Sequence, residues 1–235
     1  MDILPAVCER YVIPNQSEVE REFRVAQPWW KFTAHFNVAP QKPVPVLRLH
    51  QGSVEGVMLQ WGLIPEWAEG DASKACAPHM LAERLVHDPI TRGAWATRRR
   101  CILPALGFYV WRMTPMRYRQ PYFVRPLNRG TFGIAALWDR TVQENDDDVV
   151  ESCTIVSVTS LSTLGEANGL AVPAILRRDD YECWLNADPD TATGLVNATA
   201  RQPLTAHAIS PRINSLAYDD ARLIESVDER QLLSA

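Results

Sequence analysis

Apolar residues along this chain are spaced mostly as in β-strands. Short alternating or continuous apolar runs, bounded by turn residues, predict strands at 44–49 and 56–61. The β-branched run at 153–158 is typical of a central strand. Residues 100–111 predict two strand pieces around a Leu-Pro-Ala-Leu-Gly bend.

Two further runs, 121–125 and 132–138, are predicted to pair with each other through a turn at 127–130. The predicted helices are fewer, and Asp188 or Asp190 is expected near the start of the last one. They cover 17–23, 82–87, 92–97, 179–185 and 190–197, with loops at 144–148 and 162–169. The chain is therefore expected to form one mixed α+β domain over 1–235. Its architecture would be a strongly bent, mostly antiparallel β-sheet or open barrel with peripheral helices.

Composition is that of a soluble globular protein. The residues are 46% apolar and 22% charged. A chain of 235 residues is long enough to bury a full core. No apolar run approaches the roughly 18 residues of a membrane span. The N-terminus carries Asp2 and no basic segment, so no secretory signal, no membrane partner and a cytoplasmic location are expected.

The cysteines give no sign of a metal or disulfide scaffold. Five are scattered along the chain without a Cys-x-x-Cys spacing. This pattern argues against a zinc cluster and against a disulfide framework. We expect no metal and no cofactor.

Charge is distributed unevenly. The net charge of −4 excludes a wholly basic nucleic-acid binder, yet residues 84–129 hold ten Arg and a single acid, Asp88. Such a cluster favours a local electropositive groove. The alternative is a set of solvated Arg side chains on strand edges and helix faces.

Two Trp-, Gly- and Pro-rich stretches carry the most specific pattern: Trp-Gly-Leu-Ile-Pro-Glu-Trp at 61–67 and Arg-Arg-Cys-Ile-Leu-Pro-Ala-Leu-Gly-Phe-Tyr-Val-Trp at 99–111. Nine shorter blocks accompany them in a consistent order. They are 8–11, 36–40, 82–83, 120–123, 136–138, 153–156, 173–176, 184–185 and 214–215. Together the blocks resemble the SRAP family from about Cys8 to Val227, with residues 1–7 left as an N-terminal extension.

The resemblance implies a specific chemistry. SRAP proteins shield abasic sites in single-stranded DNA, and the partner expected here is therefore abasic single-stranded DNA. In the family an N-terminal Cys condenses with the ring-opened sugar to give a thiazolidine crosslink. An α-amine with a pKa near about 7.7–8 is partly neutral at pH 7 and can attack the aldehyde. An internal cysteine lacks this amine.

Residue by residue, the resemblance places Cys8 at the nucleophile and Asn37, a further catalytic candidate, in the Asn-x-Ala-Pro block. It implies a DNA contact for Arg10 and a place beside the DNA channel for Trp61 and Trp67. Since single-stranded DNA stacks on exposed aromatic rings, such a Trp suits the channel. From the basic stretch, the candidate DNA contacts are Arg84, Arg99 and Arg100.

Several family positions are changed. The catalytic Asn is replaced by His79, the catalytic Glu by Val110 and the catalytic His by Gly169. The two Arg positions of these motifs hold Leu81 and Ala171. Val110 offers no acid–base chemistry.

Glu83 is the one motif acid left, as a catalytic candidate or as an ion-pair partner of a nearby Arg. His79 is either a surrogate polar or basic group or a satisfied structural His. Cys8 is either the nucleophile or a small buried side chain. Trp61 and Trp67 are either core residues or stacking surfaces.

Val7 suggests a hypothesis for Cys8. A GTG codon encodes internal Val but is translated as Met at a bacterial start, so a start at position 7 would leave Cys8 as the first residue of the mature protein. Intact mass spectrometry of the protein from its native gene tests this; a mass that includes residues 1–7 excludes it.

Two functions remain open. One is single-stranded DNA binding at abasic sites, with crosslinking only if Cys8 is the mature N-terminus. The other is a degenerate paralogue that binds DNA or a protein partner without covalent chemistry. Whether the chain is an enzyme stays open, because the autopeptidase and lyase-like activities that the family implies depend on positions held here by Val110 and Gly169. A relict peptidase is a third interpretation, and a monomer is expected.

Overall fold

The computed structural model describes residues 9–69, 71, 75–114, 117–128, 130–142, 149–161 and 170–228. Within these ranges the strands are β1 (Tyr11–Ile13), β2 (Gln27–Pro28), β3 (His35–Val38), β4 (Pro43–His50), β5 (Ser53–Trp61), β6 (His79–Leu81), β7 (Arg100–Ala105), β8 (Gly107–Met113), β9 (Arg119–Pro126), β10 (Phe132–Val142), β11 (Val149–Thr159), β12 (Ala171–Pro173), β13 (Ile175–Leu176) and β14 (Leu204–Ala208). The α-helices are α1 (Gln16–Phe23), α2 (Arg92–Ala96), α3 (Tyr181–Asn186) and α4 (Pro189–Thr199). Short 3-10 helices lie at Glu66–Ala68, Ala82–Arg84, Arg178–Asp180, Pro211–Asn214 and Ala221–Ile224.

The strands divide between two sheets. The smaller has the order β14-β9-β8-β1-β3, and the larger has the order β12-β11-β10-β7-β4-β5-β2. In the larger sheet β11 also pairs with β5, which closes β5, β4, β7, β10 and β11 into a ring. Most pairings are antiparallel; β11 pairs in parallel with β5 and β6, and β2 does so with β5. The expected mixed α+β class, mostly antiparallel with peripheral helices, is confirmed.

The predicted hairpin between 121–125 and 132–138 is wrong. β9 pairs with β8 and β14, whereas β10 pairs with β7, β11 and β13. The first six residues of β10 are all buried, so this strand needs neighbours on both edges and both faces. β9 belongs to the smaller sheet and β10 to the larger, so these two strands do not form a hairpin.

The predicted bend in 100–111 is confirmed at Leu106, which separates β7 from β8 and moves the chain between the sheets. The backbone N–H of Leu106 donates to the carbonyl of Val12 at 3.0 Å. At Gly107 a Cβ atom would lie 2.2 Å from Phe123 Cζ, so the close approach of β9 requires glycine.

Four predicted helices appear as α1 to α4, within a few residues of the expected bounds. The Asp188 carboxylate accepts the N–H groups of Asp190 and Thr191, each at 3.0 Å, which identifies Asp188 as the N-cap of α4. The helix predicted at 82–87 is reduced to the 3-10 helix Ala82–Arg84. The predicted loops at 144–148 and 162–169 lie outside the described residues. In the part of the chain that the structure describes, no helix has both the length and the apolar character needed to cross a membrane.

Candidate nucleic-acid interface

The first described residues enter the smaller sheet beside β8. Tyr11 on β1 lies opposite Phe108, and the N–H of Tyr109 donates to the carbonyl of Arg10 at 3.1 Å. Glu9 precedes β1, and an extension of this antiparallel register by two residues would bring it next to Val110. On the other side of β8, Val110 lies opposite Tyr122 of β9. We call Val110, Tyr122 and the preceding residue Glu9 the central row; its paired part is Val110 on β8 and Tyr122 on β9.

His79 reaches the same region from the larger sheet. It begins β6, where it lies opposite Ile155 of β11, and its side chain is half-buried. Burial lowers the pKa of His79 below its usual value, and the negative charge of Glu9 opposes this shift only in part. His79 is consequently a neutral imidazole near pH 7, with one donor and one acceptor nitrogen.

The changed family positions around this centre are uncharged. Val110 is 4% exposed and packs in the main core, and Ala171 is buried on β12. Leu81 is half-buried at the end of β6. All three side chains are apolar and uncharged, so none of them can bind a phosphate or transfer a proton. Cys8 and Gly169 lie outside the described residues.

Glu83 and Arg84 follow β6 on an exposed 3-10 turn. The Arg84 guanidinium pairs with the Asp88 carboxylate at 2.7 Å while its side chain remains 64% exposed. The Asp88 carboxylate is buried, so transfer of Arg84 to a phosphate would leave that carboxylate without its cation, whereas a phosphate bound at the exposed side of Arg84 leaves the pair in place.

Beyond this turn lies a groove of about 320 Å³ that Trp67 and Arg99 line together. Trp67 is 53% exposed, and its indole N–H donates to the carbonyl of Pro89 at 3.0 Å. Arg99 forms an ion pair with the buried carboxylate of Asp139, and Arg92 lies exposed at the rim. We call this the Trp67 groove; the structure thus brings two of the predicted DNA contacts to one surface.

Two other predicted contacts are in the interior. Trp61 is 0% exposed, meets Tyr11 edge-on at 5.2 Å and donates its indole N–H to the carbonyl of Pro78 at 2.7 Å. Because Trp61 ends a strand of the closed ring, its side chain belongs to the core. It has no exposed face on which a base could stack, contrary to the expectation from the resemblance.

Arg100 is likewise placed away from any DNA surface. It is 2% exposed, and its guanidinium lies 5.0 Å from the Trp95 ring and 5.5 Å from the Trp184 ring while donating to the carbonyl of Ala187. Burial lowers the pKa of this guanidinium. Arg100 packs α2 and α3 against β7, so the structure corrects the expected DNA contact to a structural position.

Asn37 is 7% exposed and clamps the C-terminal segment. Its amide nitrogen donates to the carbonyls of Ser215 and Tyr218 at 3.0 Å and of Ile213 at 3.3 Å. In return, Asp219 accepts the backbone N–H of Asn37 at 3.0 Å. The structure therefore places this predicted catalytic residue in a structural contact between β3 and residues 213–219.

Arg10 is half-buried next to the central row, where its guanidinium donates to the carbonyl of Glu9 at 2.9 Å. Among the residues that the structure describes, the Arg side chains of the basic stretch fall into two groups. The first lies around α2 and the start of β7, and the second on β8, β9 and their connection. Of those described, the first group holds Arg84, Arg92, Arg98, Arg99 and Arg100, and the second holds Arg112, Arg117, Arg119 and Arg125.

The sequence model of the SRAP family, SOS response associated peptidase, matches residues 7–216. The abasic site processing protein YoqW of Bacillus subtilis (strain 168) is 26% identical over 227 residues, covering 94% of this chain and 100% of that protein. The abasic site processing protein HMCES of Gallus gallus is 25% identical, covering 89% and 72%. A crystal structure of a protein from Bacteroides thetaiotaomicron has a similar fold, with a TM-score of 0.79 and 18% identity over 94% of this chain and 100% of that one.

Proposed function

Because this chain belongs to the SRAP family, we propose that it binds single-stranded DNA at abasic sites. A crosslink forms only if Cys8 is the mature N-terminal residue. The observation that carries the proposal is the exposed Trp67, held in a fixed orientation beside Arg99 and Arg92. Relatives of nearly the same length carry the name abasic site processing protein, which supports the substrate class.

Non-covalent binding follows from the Trp67 groove and the turn before it. Stacking of a base on an aromatic ring contributes about 1–3 kcal/mol, and the hydrogen bond to Pro89 spares part of the entropy of ordering that ring. Arg84 and Arg92 offer exposed cations for the phosphates. Phosphate contacts of this kind set the register of the strand and make the affinity depend on salt.

Covalent chemistry would occur at the centre formed by Glu9 and His79. With Cys8 at the N-terminus, its α-amine attacks the aldehyde carbon, and loss of one water gives an imine. The Cys8 thiolate then adds to the imine carbon while the nitrogen gains a proton, which closes the thiazolidine. We assign both proton transfers to His79, because Val110 can perform neither. As a neutral imidazole it takes the proton that the attacking amine releases, and the imidazolium so formed returns that proton to the departing hydroxyl.

The test uses two forms of the protein, one starting at Met1 and one starting at Cys8. Each is mixed with a single-stranded oligonucleotide carrying one abasic site, and each mixture is resolved on a denaturing gel and by native binding. We expect native binding from both forms and a heat-stable shifted band from the Cys8 form alone. A Cys8→Ser variant of that form is the matched control and should give no band.

The alternative function is non-covalent binding by a degenerate paralogue. The uncharged side chains of Val110, Leu81 and Ala171 favour it, because together they remove the family's acid and two of its cations. Native binding without a heat-stable band from either form would establish this alternative. Absence of binding to both abasic and intact oligonucleotides would contradict the DNA function altogether.

A further inference from the structure

Alternation along β8 separates two faces at the central row. Val110 and Phe108 face the main core, whereas Tyr109 and Trp111 pack in a second cluster, and Trp111 donates its indole N–H to Asn214 at 2.9 Å. Residues two apart on a strand share a face and lie about 7 Å apart. Arg112 therefore projects on the same face as Val110, next to the position that the family's acid would occupy.

Tyr122 holds the Arg112 guanidinium at this place. The guanidinium carbon lies 4.7 Å from the centre of the Tyr122 ring, and Tyr122 is the residue directly opposite Val110. The face of an aromatic ring attracts a cation placed over it, and the N–H donors of a guanidinium lie in the plane of the guanidinium. Arg uses such planar donors to bind the oxygens of a phosphate.

Residues 112–126 contain four Arg and no acid. By alternation Arg112 shares the face of Val110, whereas Arg119 and Arg125 lie on the other face, so Arg112 is the cation that this strand pair sets against the acid Glu9 of the central row. The two Arg positions of the family motifs, in contrast, hold Leu81 and Ala171, which cannot neutralise a phosphate. A single DNA strand bound at the central row, with its abasic sugar near His79, would bring a phosphodiester group to this face of β8.

We propose that Arg112, stacked on Tyr122, binds the phosphate adjacent to the abasic sugar and so replaces the cations missing at positions 81 and 171. This inference rests on the proposed function and assigns one of its contacts. The sequence signal was available: an Arg two residues after Val110 on a predicted strand shares its face.

Arg112→Met tests the inference, with Arg119→Met as the matched control. Arg119 lies opposite Met113 on the same strand pair, so its side chain is on the other face, and it is exposed. The probes are a labelled single-stranded oligonucleotide with one tetrahydrofuran abasic analogue and the same oligonucleotide with thymidine at that position. Affinities are measured by fluorescence anisotropy at several salt concentrations.

We expect Arg112→Met to weaken binding of the abasic probe about tenfold, as loss of a charge-assisted hydrogen bond does. The slope of log affinity against log salt should fall by about 0.7, the value for one phosphate contact on a single strand. Arg119→Met should keep the parental ratio of affinities for the two probes. Arg112→Lys keeps the charge but not the planar stack, so it should retain the slope and lose part of the affinity.

The outcomes separate the two claims. Parental affinity and slope for Arg112→Met, with binding by the parent intact, would overturn the role of Arg112 and leave the proposed function standing. Failure of the parent to bind either probe would overturn both. If Arg112→Met has a lowered melting temperature, two milder variants replace it as the test. Arg112→Lys should then lose affinity for the abasic probe, and Tyr122→Phe, which keeps the aromatic ring, should retain the parental affinity.

Discussion

The indole nitrogen of Trp67 donates a hydrogen bond of 3.0 Å to the carbonyl oxygen of Pro89. The bond joins the end of the first Trp-rich stretch to the loop before α2, within the basic stretch. An exposed aromatic ring is thereby fixed in one orientation beside Arg99. A ring ordered in this way loses little entropy when a base stacks on it.

Trp67→Ala should therefore weaken binding of single-stranded DNA by about 1–3 kcal/mol, the contribution of one stacked base. The fold should remain intact, because the side chain is 53% exposed. A fluorescence titration with an abasic oligonucleotide measures the first effect and thermal unfolding the second. Parental affinity in this variant would remove Trp67 from the binding surface.

Trp61→Phe is the matched control for that experiment. Trp61 is fully buried and its indole N–H is bound to Pro78, so the substitution leaves a cavity and an unsatisfied carbonyl. The melting temperature should fall, while the affinity measured on the folded protein should stay at the parental value.

Arg99 lines the Trp67 groove whereas its sequence neighbour Arg100 is buried, and the salt dependence of binding should distinguish them. Stability should fall in both variants, because Arg99→Gln leaves the buried Asp139 carboxylate without its ion pair. Arg99→Gln should reduce the salt dependence of DNA binding by about 0.7 in slope, since one phosphate contact is lost. Arg100→Met should leave the slope unchanged and lower stability, because the contacts with Trp95, Trp184 and Ala187 disappear. A changed slope for Arg100→Met would contradict its placement in the core.

Asn37→Ala should destabilise the protein by about 1–3 kcal/mol, because three carbonyls of residues 213–218 lose their donor. Asn37→Asp should cost more, since a carboxylate would face those oxygens. Urea unfolding gives both values. The affinity of the folded fraction for abasic DNA should be unchanged; a large loss of affinity at parental stability would instead return Asn37 to the binding site.

Local pattern was enough to predict the longer strands and four of the helices. The alternating apolar runs predicted the strands β4 and β5, and the β-branched run predicted β11. The Pro and Gly residues near Leu106 predicted the break between β7 and β8. The prediction that β9 pairs with β10 is wrong, and local sequence could not have corrected it. A turn sequence specifies only that the chain changes direction, and the burial of β10 on both faces decides its partners.

The candidate site was predictable in type but not residue by residue. Trp61 and Trp67 belong to one motif, yet one ends a strand of the closed ring and the other lies in a short exposed helix. Which of two neighbouring side chains faces solvent depends on the layers packed against the strand, which sequence alone does not contain. Asn37 meets partners more than 170 residues away, beyond any local pattern.

His79 should make stability depend on pH. Burial holds the pKa of His79 below the ordinary value of 6.5, so the unfolded chain takes up a proton more readily than the folded one. As pH falls below about 6.5, the parent should thus lose unfolding free energy until the lowered pKa of the folded state is reached.

His79→Asn removes this titration. The unfolding free energy of the variant minus that of the parent should therefore increase from pH 7 to pH 5. Urea unfolding at several pH values measures the difference, in which the contributions of groups distant from His79 cancel. A difference that does not vary with pH would mean that His79 titrates alike in both states, and the neutral imidazole assigned to proton transfer would lose its basis.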